Sequence, residues 1–136
     1  MLLRPGDGMT VAEPDTATRY EDTMEYRQIS ENYSVSAQIA PEDVEAIKAA
    51  GFRSVICNRP DDEQPGQPSH DVIKAAVEGT GLAFRYIPVI SGQMSMDNVE
   101  DQAEALDELE GPVLAFCRSG ARCTNLYALV QERKRG

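Results

Sequence analysis

One short stretch, LAFCRSGARCTN at residues 114–125, places a thiol, a glycine and an arginine close together after an apolar run. A strand that ends in a tight loop at a helix N-terminus offers free backbone N–H groups and a positive dipole to an anion. The same field lowers the pKa of a thiol. The stretch therefore predicts Cys117 as a nucleophile and Arg122 as a two-pronged ligand for an oxyanion, in preference to a structural cysteine followed by solvated arginines.

The residues between these two form the predicted anion-binding loop: Arg118, Ser119, Gly120 and Ala121. Gly120 allows a backbone turn that a side chain would block. Arg118 either faces solvent or helps to recruit an anionic substrate. Cys123 is either a resolving thiol for a modified Cys117 or a packing residue of the last helix.

Strand and helix patterns alternate along the chain. Strands are predicted at 26–36 (two short strands around a turn), 52–58, 82–90 and 112–116, and helices at 40–52, 69–81, 96–111 and 123–134. The buried stripe of the third helix is predicted to consist of Val99, Ala103, Leu106 and Leu109. This alternation indicates an α/β domain with a largely parallel sheet, in which ligands bind beyond the carboxyl ends of the strands. Cys117 lies at such an end.

The composition narrows the class of protein. The chain has 136 residues and a net charge of −10, which disfavours nucleic acid and anionic membranes as partners. Three cysteines and one histidine show no metal-ligand spacing, and no apolar run is long enough to span a membrane. Residues 1–24 are predicted to be a disordered extension, residues 25–136 a single catalytic domain, and the reducing cytoplasm the compartment.

Three blocks of the sequence resemble a known family: SVSAQIAPEDVEAIKAAGFRSVICNRPDDEQPGQPS, then GLAFRYIPV, then GPVLAFCRSGAR. They resemble the phosphatase-like domain of beta-lactamase-hydrolase-like proteins, from about residue 26 to residue 131. That domain is similar in fold to protein tyrosine and dual-specificity phosphatases. The resemblance implies a three-layer fold, Cys117 as nucleophile, Arg122 as the anion-binding arginine, and a flanking loop made of Asn58, Arg59, Pro60 and Asp61.

The resemblance also bears on cofactors and partners. It implies neither a metal nor an organic cofactor. The expected partner is a small anionic substrate, namely thiosulfate, a persulfide or a phosphoester. Larger relatives carry a metallo-hydrolase domain of persulfide-dioxygenase type, so a separate protein of that type is a further candidate partner.

Three departures from true phosphatases stand out. The loop has four residues between cysteine and arginine where phosphatases have five, a count shared with rhodanese sulfurtransferases. Ser91 stands near the place of the general-acid aspartate, for which Asp97 or Asp61 is a substitute out of the expected position. Phosphatases carry a histidine before the cysteine and a Ser/Thr after the arginine. Here these positions are Phe116 and Cys123, and Thr124 lies one residue too far along.

Two of these departures favour a rhodanese-type sulfurtransferase that passes sulfane sulfur through a Cys117 persulfide, and one is neutral. The alternatives are a phosphatase that forms a Cys117 thiophosphate and a non-catalytic anion-binding module. His70 is interpreted as a solvated residue at a helix start, with a role as a base as the alternative. Cys57 is predicted to belong to the core, and the acidic loop after Asn58 to be a lid or a solvated connection.

Overall fold

The sheet at the centre of the molecule has five strands. The computed structural model describes residues 25–135, so the predicted extension at 1–24 lies outside the described residues. The strands are β1 (Arg27–Ser30), β2 (Tyr33–Ser36), β3 (Ser54–Cys57), β4 (Ala83–Tyr86) and β5 (Val113–Phe116). Their order is β1-β2-β5-β3-β4, in which only the β1–β2 pair is antiparallel.

Helices cover both faces of this sheet. A 3₁₀ turn (Pro41–Asp43) leads into α1 (Val44–Ala49), followed by α2 (His70–Gly79), α3 (Met96–Glu108) and α4 (Ala121–Arg135). Apolar residues of α1 and α2 pack on one face, and those of α3 and α4 on the other. This arrangement confirms the predicted three-layer α/β fold. Of the helices described, none is long and apolar enough to cross a membrane.

Strand β5 occupies the middle of the sheet and is buried along its whole length. Side chains alternate across a strand. Leu114 and Phe116 therefore face α1 and α2, whereas Ala115 and Cys117 face α3 and α4. The apolar run before Cys117 thus delivers the thiol to the layer that also holds the first turn of α4.

Most element boundaries differ from the prediction by a few residues, and three of the differences bear on the site. The helix predicted from residue 40 begins with a 3₁₀ turn, a common form of a first helical turn. The strand predicted at 82–90 ends at Tyr86, although the N–H groups of Ile87 and Val89 still donate to the carbonyls of Cys57 and Asn58 at 2.9 Å. Helix α4 begins at Ala121 rather than at residue 123, directly after Gly120. The first N–H groups of a helix need no partner within it, so such an early start leaves little trace in the sequence.

A buried polar residue interrupts the predicted apolar stripe of α3. Gln102 is completely buried. Its side chain accepts a hydrogen bond from Asn58 Nδ2 at 2.9 Å and donates to the hydroxyl of Tyr33 at 3.2 Å. That hydroxyl donates in turn to the carbonyl of Cys123 at 2.9 Å. This network links the segment after β3 to the first turn of α4 through the core of the α3–α4 layer.

We expect Gln102→Leu to lower the free energy of unfolding by about 2 kcal/mol, because it removes hydrogen bonds from the buried Asn58 and Tyr33 side chains. Glu104→Leu, at an exposed position of the same helix, is the control and changes stability by less than about 0.5 kcal/mol. Urea denaturation measures both values. Equal effects of the two substitutions would contradict a stabilising role for the network.

Candidate active site

The loop after β5 is pressed against the end of β2. The N–H of Cys117 donates to the carbonyl of Ser36 at 3.3 Å, and Gly120 has a positive φ of 95°. A Cβ on Gly120 would lie 3.4 Å from the oxygen of Ser36. That distance is an ordinary van der Waals contact, so it is the positive φ that favours glycine at this position. The chain turns within residues 117–120 and enters α4 at once.

Hydrogen-bond donors converge on the sulfur of Cys117. The thiol of Cys123 is the strongest influence, joined by the backbone N–H groups of Cys123, Ser119 and Gly120. The Gly120 N–H lies 3.1 Å from Sγ. Burial opposes ionisation, but the donors outweigh it and lower the pKa of Cys117 from 9.0 to about 5. Cys117 is therefore a thiolate at neutral pH.

The other two cysteines remain protonated. Burial raises the pKa of Cys57 to about 12, and its thiol donates to the carbonyl of Arg59 at 3.3 Å. Burial and the adjacent Cys117 also raise the pKa of Cys123 well above its ordinary value. Cys57 lies in the core, as predicted. The three thiols thus differ sharply in reactivity, although all three side chains are buried.

The remaining residues predicted for this loop take different positions. Arg118 and Ser119 are exposed, and Arg118 lines a groove of about 380 Å³ together with residues of the acidic loop. Ala121 is the first residue of α4. The Thr124 hydroxyl donates to the carbonyl of Gly120 at 2.9 Å. Thr124 therefore braces the loop, while Cys123 supplies the side-chain donor to Cys117.

The guanidinium of Arg122 already holds an anionic partner. Its Nη1 and Nη2 donate to the two carboxylate oxygens of Glu63 at 2.7 and 2.8 Å. Nη1 also donates to the carbonyl of Val89 at 2.8 Å. Glu63, followed by the nearby Cys117, raises the pKa of Arg122. Glu63 was not among the residues predicted for the site, and its position four residues after Arg59 was the one local signal in the sequence.

The segment after β3 supports the site from the side. Asn58 is buried and donates to the carbonyl of Ile87 at 2.9 Å as well as to Gln102. Arg59 is 3% exposed, and its Nε donates to Glu63 at 3.0 Å. Its two terminal nitrogens donate to side-chain oxygens of Gln38 and Gln64. The structure thus brings Arg59 and Arg122 together on one carboxylate.

Asp61 is engaged by a histidine. Its carboxylate oxygens accept hydrogen bonds from the His70 backbone N–H at 2.8 Å and lie 2.7 Å from His70 Nδ1. Partial burial acts to raise the pKa of Asp61, but the contacts with His70 outweigh it and lower that pKa. Asp61 is therefore ionised at neutral pH. His70 begins α2 as predicted, but it is only partly solvated: its side chain is 24% exposed, and its ring stacks on Tyr86 at a centroid distance of 3.7 Å.

Two further positions were considered for a general acid, Ser91 and Asp97. Neither places a carboxylic acid next to Arg122. Ser91 follows the Val89–Ile90 segment, whose Val89 carbonyl binds Arg122. Asp97 is an exposed residue in the first turn of α3. The arrangement described so far provides a thiolate, backbone donors and a guanidinium, which suits nucleophilic attack on a group that carries negatively charged oxygens.

We expect the rate of Cys117 alkylation by iodoacetamide to be nearly constant between about pH 6 and 8, because the thiolate is fully formed above its pKa of about 5. The rate falls as the pH drops through that value. Quenched time courses with mass spectrometry measure the rate at each pH. A tenfold rise per pH unit up to about pH 8 would instead indicate an ordinary thiol.

We expect Cys123→Ala to raise the pKa of Cys117 by about 1, because the substitution removes the side-chain donor to the thiolate. Cys123→Ser retains a donor and keeps the pKa low. Cys57→Ala removes a buried thiol elsewhere and serves as the control. The same alkylation profiles provide the three values, and an unchanged profile for Cys123→Ala would exclude this contribution.

The curated proteins and the solved structures that are similar to this chain point to the same family. A beta-lactamase hydrolase-like protein of Xylella fastidiosa strain Temecula1 is 36% identical over 108 residues. The match covers 79% of this chain but only 25% of that protein, so the chain spans about a quarter of its relative. A crystal structure of a candidate phosphatase from Neisseria meningitidis is 33% identical, with a TM-score of 0.70. The match covers 79% of this chain and 75% of the chain in that crystal structure.

A more distant structure extends the likeness of fold. The core catalytic domain of a PP-IP phosphatase from S. cerevisiae has a TM-score of 0.55 at 14% identity. The match covers 72% of this chain and 59% of the yeast chain. The family model described as "Beta-lactamase hydrolase-like protein, phosphatase-like domain" matches residues 25–134, which include the strand, the loop and the helix around Cys117. The chain therefore belongs to the family of phosphatase-like domains of beta-lactamase hydrolase-like proteins.

Proposed function

We propose that this protein is a cysteine-dependent phosphatase-type hydrolase that acts on a small substrate with a terminal phosphoryl group. The observation that carries the proposal is the Cys117 thiolate at the β5–α4 junction, surrounded by backbone donors and followed by Arg122 in the first turn of the helix. The phosphatase-like family and the fold of its neighbours support this reaction better than the sulfur transfer that the sequence favoured.

The proposed reaction has two displacements. In the first, Sγ of Cys117 attacks phosphorus, the bond to the ester oxygen breaks, and a thiophosphate forms on the enzyme. In the second, water attacks this phosphorus, the P–S bond breaks, and phosphate leaves while the thiolate is restored. Arg122 and the N–H groups of the loop hold the phosphoryl oxygens, whose charge they stabilise in both transition states.

The leaving group has to depart with little help from a proton donor. Asp61 is ionised and bound to His70, and a serine stands at position 91. An alkoxide of high pKa leaves slowly without protonation, whereas a phenoxide or a phosphate leaves readily. We therefore propose aryl phosphates or phosphoanhydrides as the substrate class, in preference to simple alkyl phosphates.

Sulfur transfer is the second candidate, and the length of the loop is the observation that favours it. Four residues separate Cys117 from Arg122, which makes a small cradle. Sulfite or a thiolate leaves without protonation, so the reaction needs no acid. In this case Cys117 takes the outer sulfur of thiosulfate, releases sulfite, and passes the sulfur to a second thiol. A metallo-hydrolase that consumes the resulting persulfide is the corresponding candidate partner.

Two assays on the same preparation separate these functions. We expect release of phenolate from an aryl phosphate by the wild type and a loss of at least about a thousandfold in Cys117→Ser. Arg122→Lys retains the charge but loses the two-pronged contact, and we expect about a tenfold lower kcat/KM. Thiocyanate formation from thiosulfate and cyanide is the parallel measurement.

Each result identifies one function. Cys117-dependent release of phenolate without thiocyanate supports the phosphatase, and the reverse supports sulfur transfer. Activity that survives in Cys117→Ser would contradict both mechanisms. Absence of both activities in the folded wild-type protein would leave the anion-binding module.

A further inference from the structure

A groove of about 380 Å³ lies beside the loop that follows Cys117. Two arginines line it, Arg59 and Arg118, and none of its lining residues within the described part of the chain is a carboxylate. Asp61 and Asp62 belong to the neighbouring acidic loop but do not line the groove. The net charge of the chain is −10, so this positive lining is exceptional. The groove therefore suits an anion, although the protein as a whole repels one.

Two links join the groove to the candidate active site. The first is the chain itself: Arg118 directly follows Cys117, so the Cα atoms of the two residues are about 3.8 Å apart. The second is the carboxylate of Glu63, which accepts hydrogen bonds from both Arg59 and Arg122. A substrate whose phosphoryl group lies between Cys117 and Arg122 therefore borders the groove.

The hydrogen-bond donors of the groove are unequally occupied. Arg59 is 3% exposed, three of its N–H groups bond neighbouring side chains, and Glu63 neutralises its charge. Arg118 is exposed, and its guanidinium forms no hydrogen bond or ion pair with the other residues that the structure describes. The Gln64 side chain uses its oxygen for Arg59, while its NH₂ group has no acceptor in the same part of the chain. Arg118 and Gln64 thus offer free donors to a ligand.

The charges around the nucleophile also distinguish Arg118. The Cys117 thiolate and the Glu63 carboxylate carry two negative charges, which cancel the positive charges of Arg59 and Arg122. The charge of Arg118 is not matched within this set. It is therefore available for a negative group that the substrate brings in addition to its phosphoryl group.

We propose that Arg118 binds a second oxyanion, which is carried by the leaving group of the substrate. This role rests on the proposed function in one respect, namely that the loop and Arg122 hold a phosphoryl group. Pro65 and Pro68 line the same groove and offer apolar contact to the body of the leaving group. The substrate class is then narrower than aryl phosphates and phosphoanhydrides in general, because the leaving group has a negatively charged oxygen group of its own.

Protection of Cys117 from iodoacetamide tests this role without any turnover. The probes are 3-carboxybenzylphosphonate and its neutral amide, 3-carbamoylbenzylphosphonate. Both have a P–C bond that resists hydrolysis, and they differ in the charge of the second group. At about pH 8 and a constant ionic strength set by potassium chloride, we expect the acid to protect Cys117 in the wild type at a concentration at least about fivefold below that of the amide. Equal protection by the two probes, or none by either, would overturn the proposal.

Substitutions of Arg118 separate direct contact from general attraction. Arg118→Gln removes the charge, and we expect the half-protecting concentrations of the two probes to become equal. Arg118→Lys keeps the charge but loses the two-pronged contact, and we expect the ratio to fall to about twofold. Arg53→Gln is the matched control, because Arg53 is an exposed arginine at the opposite end of the parallel strands from Cys117. We expect it to keep the wild-type ratio.

The subsite and the proposed function fail in different ways. A full ratio in Arg118→Lys, or an equal loss in Arg53→Gln, would leave only general attraction and overturn the proposal; circular dichroism verifies the fold of each variant. Selective protection by the acid without release of phenolate from an aryl phosphate would leave the subsite standing while the phosphatase fails. Release of phenolate together with equal protection by both probes would support the phosphatase and overturn the subsite.

Discussion

The structure depends on one constraint: a negative charge has to be held on a sulfur that water does not reach. Burial alone would keep Cys117 protonated, as it does Cys57. What differs is the position beyond β5, where the Cys123 thiol, followed by backbone N–H groups of the loop and of the first helical turn, donates to the sulfur and lowers the pKa of Cys117. The central place of β5 in the sheet and the glycine at 120 follow from that requirement.

The same constraint explains an acidic loop beside an anion site. A partly buried site that contains Arg59 and Arg122 needs negative charge of its own, and Cys117 and Glu63 provide one each. The two positive and two negative charges of these four groups cancel. Because Arg122 and Arg59 hold the pKa of Glu63 below its ordinary value, this balance is kept across the physiological range of pH.

The sequence predicted the architecture and the residues that meet in the β5–α4 loop, because both rest on local patterns. Alternating strands and helices indicated the layers, and the order of Cys117, Gly120 and Arg122 indicated the thiolate and its donors. Glu63 escaped notice because its pairing with Arg122 joins residues 59 positions apart. Gln102 was also missed, because a polar residue on a helix is ordinarily assigned to the surface. The sequence favoured sulfur chemistry because the loop has four residues and a general acid is missing from the expected position. Neither property identifies the family.

The carbonyl of Ser36 ties the start of this loop to a neighbouring strand. It accepts the N–H of Cys117, directly beyond the last parallel pair of β2 and β5, which joins Ser36 and Phe116. The nucleophile is therefore placed by the register of two strands, whereas Arg122 is placed by the helix that follows. The loop joins two elements that are packed independently, and its conformation fixes the distance between the thiolate and the guanidinium.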